Sequence, residues 1–510
     1  MASKTWAPGV VIDSHWLQFV DDKLAERVSV LDFGADPTGT ADSTAAFNEA
    51  LLASMRVHIP AGSYRIDGTI RINRTGVTLS GDGMGNTYLF GKSGSTSPVL
   101  DIESDGWAAN VSYPGPRISD IVLRDFSISG VYATVRSDRD LLRVAGVGFD
   151  FHAERVYFYG SGRRAIYGED LWDAVFSGCR VLNCAYSNTY HHAVVLAGKT
   201  INSNAIRFIG THFEGNPTGD VWLKDSANQI FFIGNKFEGS NIDAAYDDFN
   251  CMLLDSGVAH VMFASNTITL FQKNKAVHWF KSSGRSVQIN GNTFEHANDM
   301  AGACALQLTQ PADVIGHSVV GNTFYVDGST ASYPLDLGGY MSFADNVINA
   351  RNPRKLVRVG DGAKVHDNTF VGKGTVNQTG DIFVHFDGAN NVVKDNTLYN
   401  VLAAVENNLE SNIHEPITLG LQPVGNGFSP SNYRNGTVFS ATQDINSISA
   451  SYSGKIIVVK AGAGTDVIHN PAGGVILAGS ANFAPANFGL ITLAYYVGVG
   501  WVETSRMTYY

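Results

Sequence analysis

The chain has 510 residues and a formal net charge of −11; only 16% of its residues are charged, while 54 are Gly. The negative balance excludes a broad electrostatic hold on nucleic acid, and no stretch approaches the roughly 18 continuous apolar residues of a membrane-spanning helix. Few charges and many glycines suit short strands joined by tight turns. The start, MASKTWAPGVV, lacks the charged-then-apolar pattern of a secretory leader, so synthesis in a cytoplasm is expected. Cys179, Cys184, Cys251 and Cys304 have neither a metal-type spacing nor the density of a disulfide scaffold. Buried free thiols, and no metal or other cofactor, are the expectation.

Residues 1–27 carry two tryptophans and the charged run DDKLAER, too little for a core of their own. They read as an arm or docking segment. In residues 28–56, Asp42 or Ser43 is placed to cap a short helix whose Ala46, Phe47 and Leu51 share one face, suited to closing the open end of a strand stack. VHIPAGSYRID then reads as two short strands broken at Pro60 and Gly62.

From about residue 118 a turn recurs. Taking Arg124, Glu154, Cys179, Thr211, Asn235, Asn266, Asn292, Asn322, Asn346, Asn368 and Asn396 as position zero, the residue two later is apolar in every row, from Phe126 to Leu398. So is the residue three earlier, from Ile121 to Val393. Row spacing runs from 22 residues (346 to 368) to 32 (179 to 211), so coils of fixed design carry loops of variable length. Gly, Ser or Asp precedes position zero in most rows, and these types tolerate left-handed backbone at a bend. Period-two alternation around the bend sends the apolar columns into one interior, with coils about 4.8 Å apart. The Asn column is read as a structural ladder of side-chain amides. The pattern predicts an all-β, right-handed parallel β-helix over residues 28–405 and a separate β-rich module over residues 406–510.

The column three residues after the bend points outward and contains Glu214, Glu238 and Glu295. Glu214 and Glu238 are one coil apart, about 5 Å, and Glu295 two coils further, about 10 Å. Paired-carboxylate glycosidases need about 5–5.5 Å for retention and roughly 6.5–9.5 Å for inversion. Stacked like charges push one carboxyl group upward, as a general acid requires, and the central Glu238 is the candidate for that role. Asp247, in the insertion NIDAAYDDFN with Asp243 and Asp248, is a reserve partner; the spacing matches no calcium loop. Trp222 and Trp279 are expected to project outward as sugar contacts, with Trp172, Tyr190, His191 and Tyr246 nearby, although packing between subunits explains any single aromatic equally well. An eliminating mechanism would draw its base from Tyr190, His191 or His192 and its cation from Arg163, Arg164 or Lys224.

Two stretches carry a family likeness. SVLDFGADPTGTADSTAAFNEAL followed by VHIPAGSYRI resembles the opening of pectate-lyase-like β-helix proteins. WAPGVVIDSHWLQFVDD, and near the end GGVILAGSANF, LITLAYY and GWVETSR, are similar to the terminal segments of phage tailspikes and capsule depolymerases. Where the family often has two adjacent acids before the helix, this chain has Asp42 and Ser43, which touches capping rather than chemistry. The resemblance implies a homotrimeric spike on a virion tail, docked to another tail protein through residues 1–27, that binds a bacterial surface polysaccharide and hydrolyses or eliminates a glycosidic bond in it, hydrolysis being the expectation from the glutamate column. The same resemblance leaves open elimination from a uronate polymer and binding without cleavage. A free cell-wall pectinase fits the two ends less well.

Overall fold

The structure, a computed structural model, describes residues 27–109, 115–132, 135–186, 192–199, 201–239, 249–270, 277–296, 306–309, 316–327, 333–351, 355–373, 382–387, 390–399, 405–406, 413–414, 418–419, 422–424, 437–441, 443–449, 451, 456–462, 465–485, 488–497 and 499–509. Residues 1–26, nearly all of the expected arm, and Cys304 lie outside these. The fold is the right-handed parallel β-helix expected from the sequence, and the chain forms two compact units, residues 1–246 and 247–510.

In the first unit a short strand, Val28–Ser29, and a 3-10 turn, Val30–Phe33, precede helix α1 (Thr44–Ala53), which buries Ala46, Phe47, Ala50 and Leu51. Ser43 stands at its N-cap, but the capping hydrogen bond comes from Asp42, whose Oδ1 accepts the Thr44 N–H at 3.0 Å. The coils then present three faces of parallel strands. Face one runs from Arg56–Ile59 through Ala174–Ser177 to Asn228–Ile233. Face two runs from Gly62–Ile66 through Arg180–Leu182 and His212–Glu214 to Lys236–Gly239. Face three runs from Ile70–Ile72 through Leu142–Ala145 and Ile166–Glu169 to Gly219–Lys224. Inside, identical residues stack coil on coil: Phe176, Phe208 and Phe232 with centroids 4.7 and 5.0 Å apart, and Phe213 on Phe237 at 4.6 Å. This is the coil spacing set by backbone hydrogen bonding.

The bend between faces one and two is left-handed at Gly178, Gly210 and Gly234, each just before position zero. In the two earlier coils it falls at Asp125 and Arg155, one residue after the assigned Arg124 and Glu154. The pairing agrees, since Tyr157 registers with Arg180 and Tyr159 with Leu182. The first two rows of the sequence alignment are therefore displaced by two residues. An even displacement keeps every apolar side chain inside, so alternation alone does not detect it.

In the second unit the bends are left-handed at Ser265, Gly291, Gly321, Asp345, Asp367 and Asp395. The asparagines that follow form the expected ladder. The backbone N–H of Asn266 donates to Asn292 Oδ1 at 2.8 Å, and the same bond repeats from Asn292 to Asn322, Asn346, Asn368 and Asn396 at 2.9–3.0 Å. Each Nδ2 from Asn292 onward also donates to the carbonyl of a buried residue in the preceding coil, Phe263 for Asn292 and Ile289 for Asn322. Beyond the coils of this unit, strands between Gln422 and Tyr509 form a six-stranded mixed sheet with its own core, which includes Phe439, Val459, Leu493 and Trp501. The described cysteines, Cys179, Cys184 and Cys251, are buried.

Candidate active site

On face two of the first unit, Phe213 and Phe237 point inward, so alternation sends their neighbours outward. His212 registers with Lys236 and Glu214 with Glu238. The preceding coil contributes Arg180 and Leu182, and the coil before that Tyr157 and Tyr159, whose rings lie 5.7 Å apart. Four consecutive coils thus present an aromatic pair, an exposed arginine, and a compact group of two carboxylates, an imidazole and an ammonium.

His212 Nε2 lies 3.3 Å from Glu238 Oε2 and 3.5 Å from Glu214 Oε2. Lys236 Nζ contacts the same Glu238 oxygen. Burial pushes the Glu238 carboxyl group up, but the Lys236 ammonium and the His212 imidazole outweigh it and hold the group below the ordinary carboxylate range. This corrects the expected role. Stacking against Glu214 does not make Glu238 a proton reservoir, because two nitrogen groups stand beside its carboxylate and keep it ionised. On Tyr157, burial is the main influence and pushes the phenol up to about 12, so a neutral ring faces solvent beside the cluster.

His212, Glu214 and Glu238 place one ligand-type atom each within 4.8 Å of the others, a spacing that a divalent cation also accepts. The Lys236 ammonium already on Glu238 opposes such an ion electrostatically.

The remaining sequence candidates are dispersed. Glu295 is an exposed residue of the second unit, flanked in register by Thr269 and Tyr325 rather than by a carboxylate. Trp279 does not project outward. It is 1% exposed, with its ring 5.2 Å from Phe294 and 6.4 Å from Phe324, because Trp279 and Phe280 are both turned to the interior and break the alternation. Trp172 is half-buried; Arg117 lies 4.0 Å over its ring, and its indole N–H donates to the Asn202 carbonyl. Trp222 projects outward but from face three. Tyr190, His191, Asp243, Tyr246, Asp247 and Asp248 lie outside the described residues. Of the groups considered for elimination, His192 is buried, Arg164 makes a two-pronged bond to Asp140, and Lys224 pairs with Asp225.

His212 and Lys236 were not among the sequence candidates, although HFE and KFE carry the signal. Each is two residues before a candidate glutamate, hence on the same face, and extending the outward column by one period finds both.

Residues 27–101 match the family model described as rhamnogalacturonase A/epimerase, pectate lyase-like. No curated protein matches the chain. Among solved structures, the chain is similar to ORF18 of Geobacillus virus E2, with 17% identity over 73% of this chain and 67% of that one and a TM-score of 0.49. It is similar to tailspike protein 3 of bacteriophage CBA120, with 13% identity over 99% of this chain and 73% of that one and a TM-score of 0.48. The A-module of the Azotobacter vinelandii mannuronan C-5 epimerase AlgE4 is 14% identical over 76% of this chain and 99% of that one, with a TM-score of 0.48. Among the described residues no helix is long and apolar enough to cross a membrane.

Proposed function

We propose that this pectate-lyase-like β-helix is a phage tailspike depolymerase that cleaves glycosidic bonds within a bacterial surface polysaccharide, using Glu214 and Glu238. The observation that carries the reading is the direct register of the two glutamates, with carboxylate oxygens within 4.8 Å and Glu238 kept ionised. That separation is nearer the about 5–5.5 Å of retaining glycosidases than the wider inverting spacing. In the proposed reaction Glu214 gives a proton to the glycosidic oxygen while Glu238 attacks the anomeric carbon and forms a glycosyl ester. A water molecule then cleaves the ester, and Glu214 takes the water's proton. His212 and Lys236 both engage Glu238 Oε2, so in this reading Oε1 makes the attack. Tyr157 and Tyr159 offer apolar faces for neighbouring sugar rings. The match of residues 27–101 to a rhamnogalacturonase/epimerase model supports a glycan as substrate.

The proposal extends to a homotrimer at the virion tail, docked through residues 1–27. Ile209 and Ile233, in register on face one and 39% and 36% exposed, are apolar surface of the kind a neighbouring subunit covers. Light scattering that returned the monomer mass of 54.7 kDa at micromolar concentration would remove the trimer.

Capsules and lipopolysaccharides incubated with the protein should gain reducing ends without the ultraviolet absorbance of an unsaturated uronate, and the freshly released end should keep the anomeric configuration of the bond cut. Inverted product would discard the Glu214–Glu238 pair as drawn. Appearance of the unsaturated chromophore would replace hydrolysis by elimination.

A further inference from the structure

One inward column of the second unit includes a titratable side chain that the proposed cleavage does not use. The strands Arg285–Asn290, Ser318–Val320, Ser342–Ala344, Lys364–His366 and Val392–Lys394 stack in parallel. In that register Val287, His317, Met341, Ala363 and Asn391 fall in one column, all of them buried. His317 is 3% exposed. Its Nδ1 accepts the backbone N–H of Val287, one coil earlier, at 3.3 Å. Asn391 makes the same kind of bond in the same column, its Oδ1 accepting the Ala363 N–H at 2.6 Å. An imidazole and an amide therefore do one job, closing a strand against the coil that follows it. Only the imidazole takes up a proton near physiological pH.

The bond fixes the tautomer, because an accepting Nδ1 leaves the hydrogen on Nε2, and Nε2 has no hydrogen-bond partner among the described residues. A proton added at Nδ1 would face the Val287 N–H, donor against donor, in a column position between Val287 and Met341. The backbone that carries the ring is held on both sides. An added Cβ on Gly316 would collide with the Tyr340 carbonyl, and the His317 carbonyl accepts the Ser342 N–H at 3.0 Å. Burial alone pushes the imidazole pKa down to about 4. The titratable side chains on the neighbouring segments are Asp255, His278, Lys281, Arg285, Tyr340 and Lys364; of these only His278 is buried, and none contributes to that shift.

We propose that His317 is an acid-operated latch of the second unit, closed while its neutral imidazole accepts the Val287 N–H and opened by a proton at Nδ1. Once open, the ring meets water and titrates near its ordinary value of about 6.5, so between that pH and the value of about 4 in the closed state the open form binds one more proton. Closure is complete above this window and weakens as pH falls through it, the opening constant rising by about 10-fold per pH unit. Below the window both forms are protonated and the weakening stops. The latch is independent of the proposed cleavage, whose Glu214 and Glu238 belong to the first unit.

Amide hydrogen exchange on the full chain, corrected for the intrinsic pH dependence of exchange, reads the latch directly. Between about pH 6 and about pH 4.5, protection of the Val287 N–H should fall by about 10-fold per pH unit, while that of the Ala363 N–H, held by Asn391, should not follow it. His317→Asn places an amide oxygen where Nδ1 stands and removes the titration, so Val287 should stay protected across the range. His317→Phe removes the acceptor, and protection of Val287 should be lowered by the same factor at every pH. Three results would overturn the proposal: wild-type protection at Val287 that is flat in pH, an equal loss at Val287 and Ala363, or a pH slope that survives His317→Asn. The first two are read on the wild-type chain and need no variant to fold.

Discussion

The outward position just after the bend differs between the two units. In the second unit it reads Thr267, Thr293, Thr323, Val347, Thr369 and Thr397, small β-branched residues that suit a pleated surface. In the first it reads Tyr157, Arg180, His212 and Lys236. The bend itself differs in the opposite sense, with an unbroken asparagine ladder in the second unit and Val156, Cys179, Thr211 and Asn235 in the first. The same coil therefore serves two purposes. Where the turn is most regular the outer surface is plain, and ionisable side chains gather where the turn is least regular. Glu295 illustrates the point, a glutamate at the column position of Glu214 and Glu238 with threonines where His212 and Lys236 stand in the other unit.

The largest expected effect tests what the units share. Phe237→Asp and Phe324→Asp each put an uncompensated carboxylate among stacked rings, at a cost of several kcal/mol, and circular dichroism should show early melting in both. Wild-type melting of either would mean the interior columns are misassigned. The next effect should separate the units. Glu238→Gln keeps size and loses the charge, so kcat should fall by about 100-fold or more with little change in melting temperature, whereas Glu295→Gln should turn over like wild type. Equal losses would erase the distinction drawn from His212 and Lys236.

A smaller effect isolates the ladder. Asn322→Ala leaves the Asn292 N–H and the Ile289 carbonyl without their amide partner, costing about 1–3 kcal/mol, while kcat stays at the wild-type value. The smallest effect is a shift rather than a loss. Lys236→Met removes a cation that lowers the Glu238 pKa, so Glu238 protonates at higher pH than before. Because the proposed attack needs the ionised carboxylate, the acid limb of kcat/KM should move to higher pH. A limb that stays in place would mean another group sets it.

The fold was legible because two columns of apolar residues recur around a bend whose chemistry is local, Gly, Ser or Asp before Asn. The displacement at Arg124 and Glu154 was not, since shifting by two residues exchanges one inward position for another. Glu214 and Glu238 were found by column, but the role of Glu238 depends on His212 and Lys236, and only the folded distances show both on a single oxygen. Trp279 was misplaced because alternation assumes a regular strand, and a bulky indole beside Phe280 is accommodated by burying both.

The asparagine ladder also has a sense of direction. Every link runs the same way, from a backbone N–H in one coil to the side-chain oxygen of the asparagine in the next. A ribosome delivers the coils in that order, earlier ones first. Each freshly wound turn therefore displays one unanswered donor, and the arrival of its successor both quenches it and exposes another. Winding in this region resembles the growth of a polymer from a single living end, in which an asparagine lost midway leaves one donor unanswered at the turn before it.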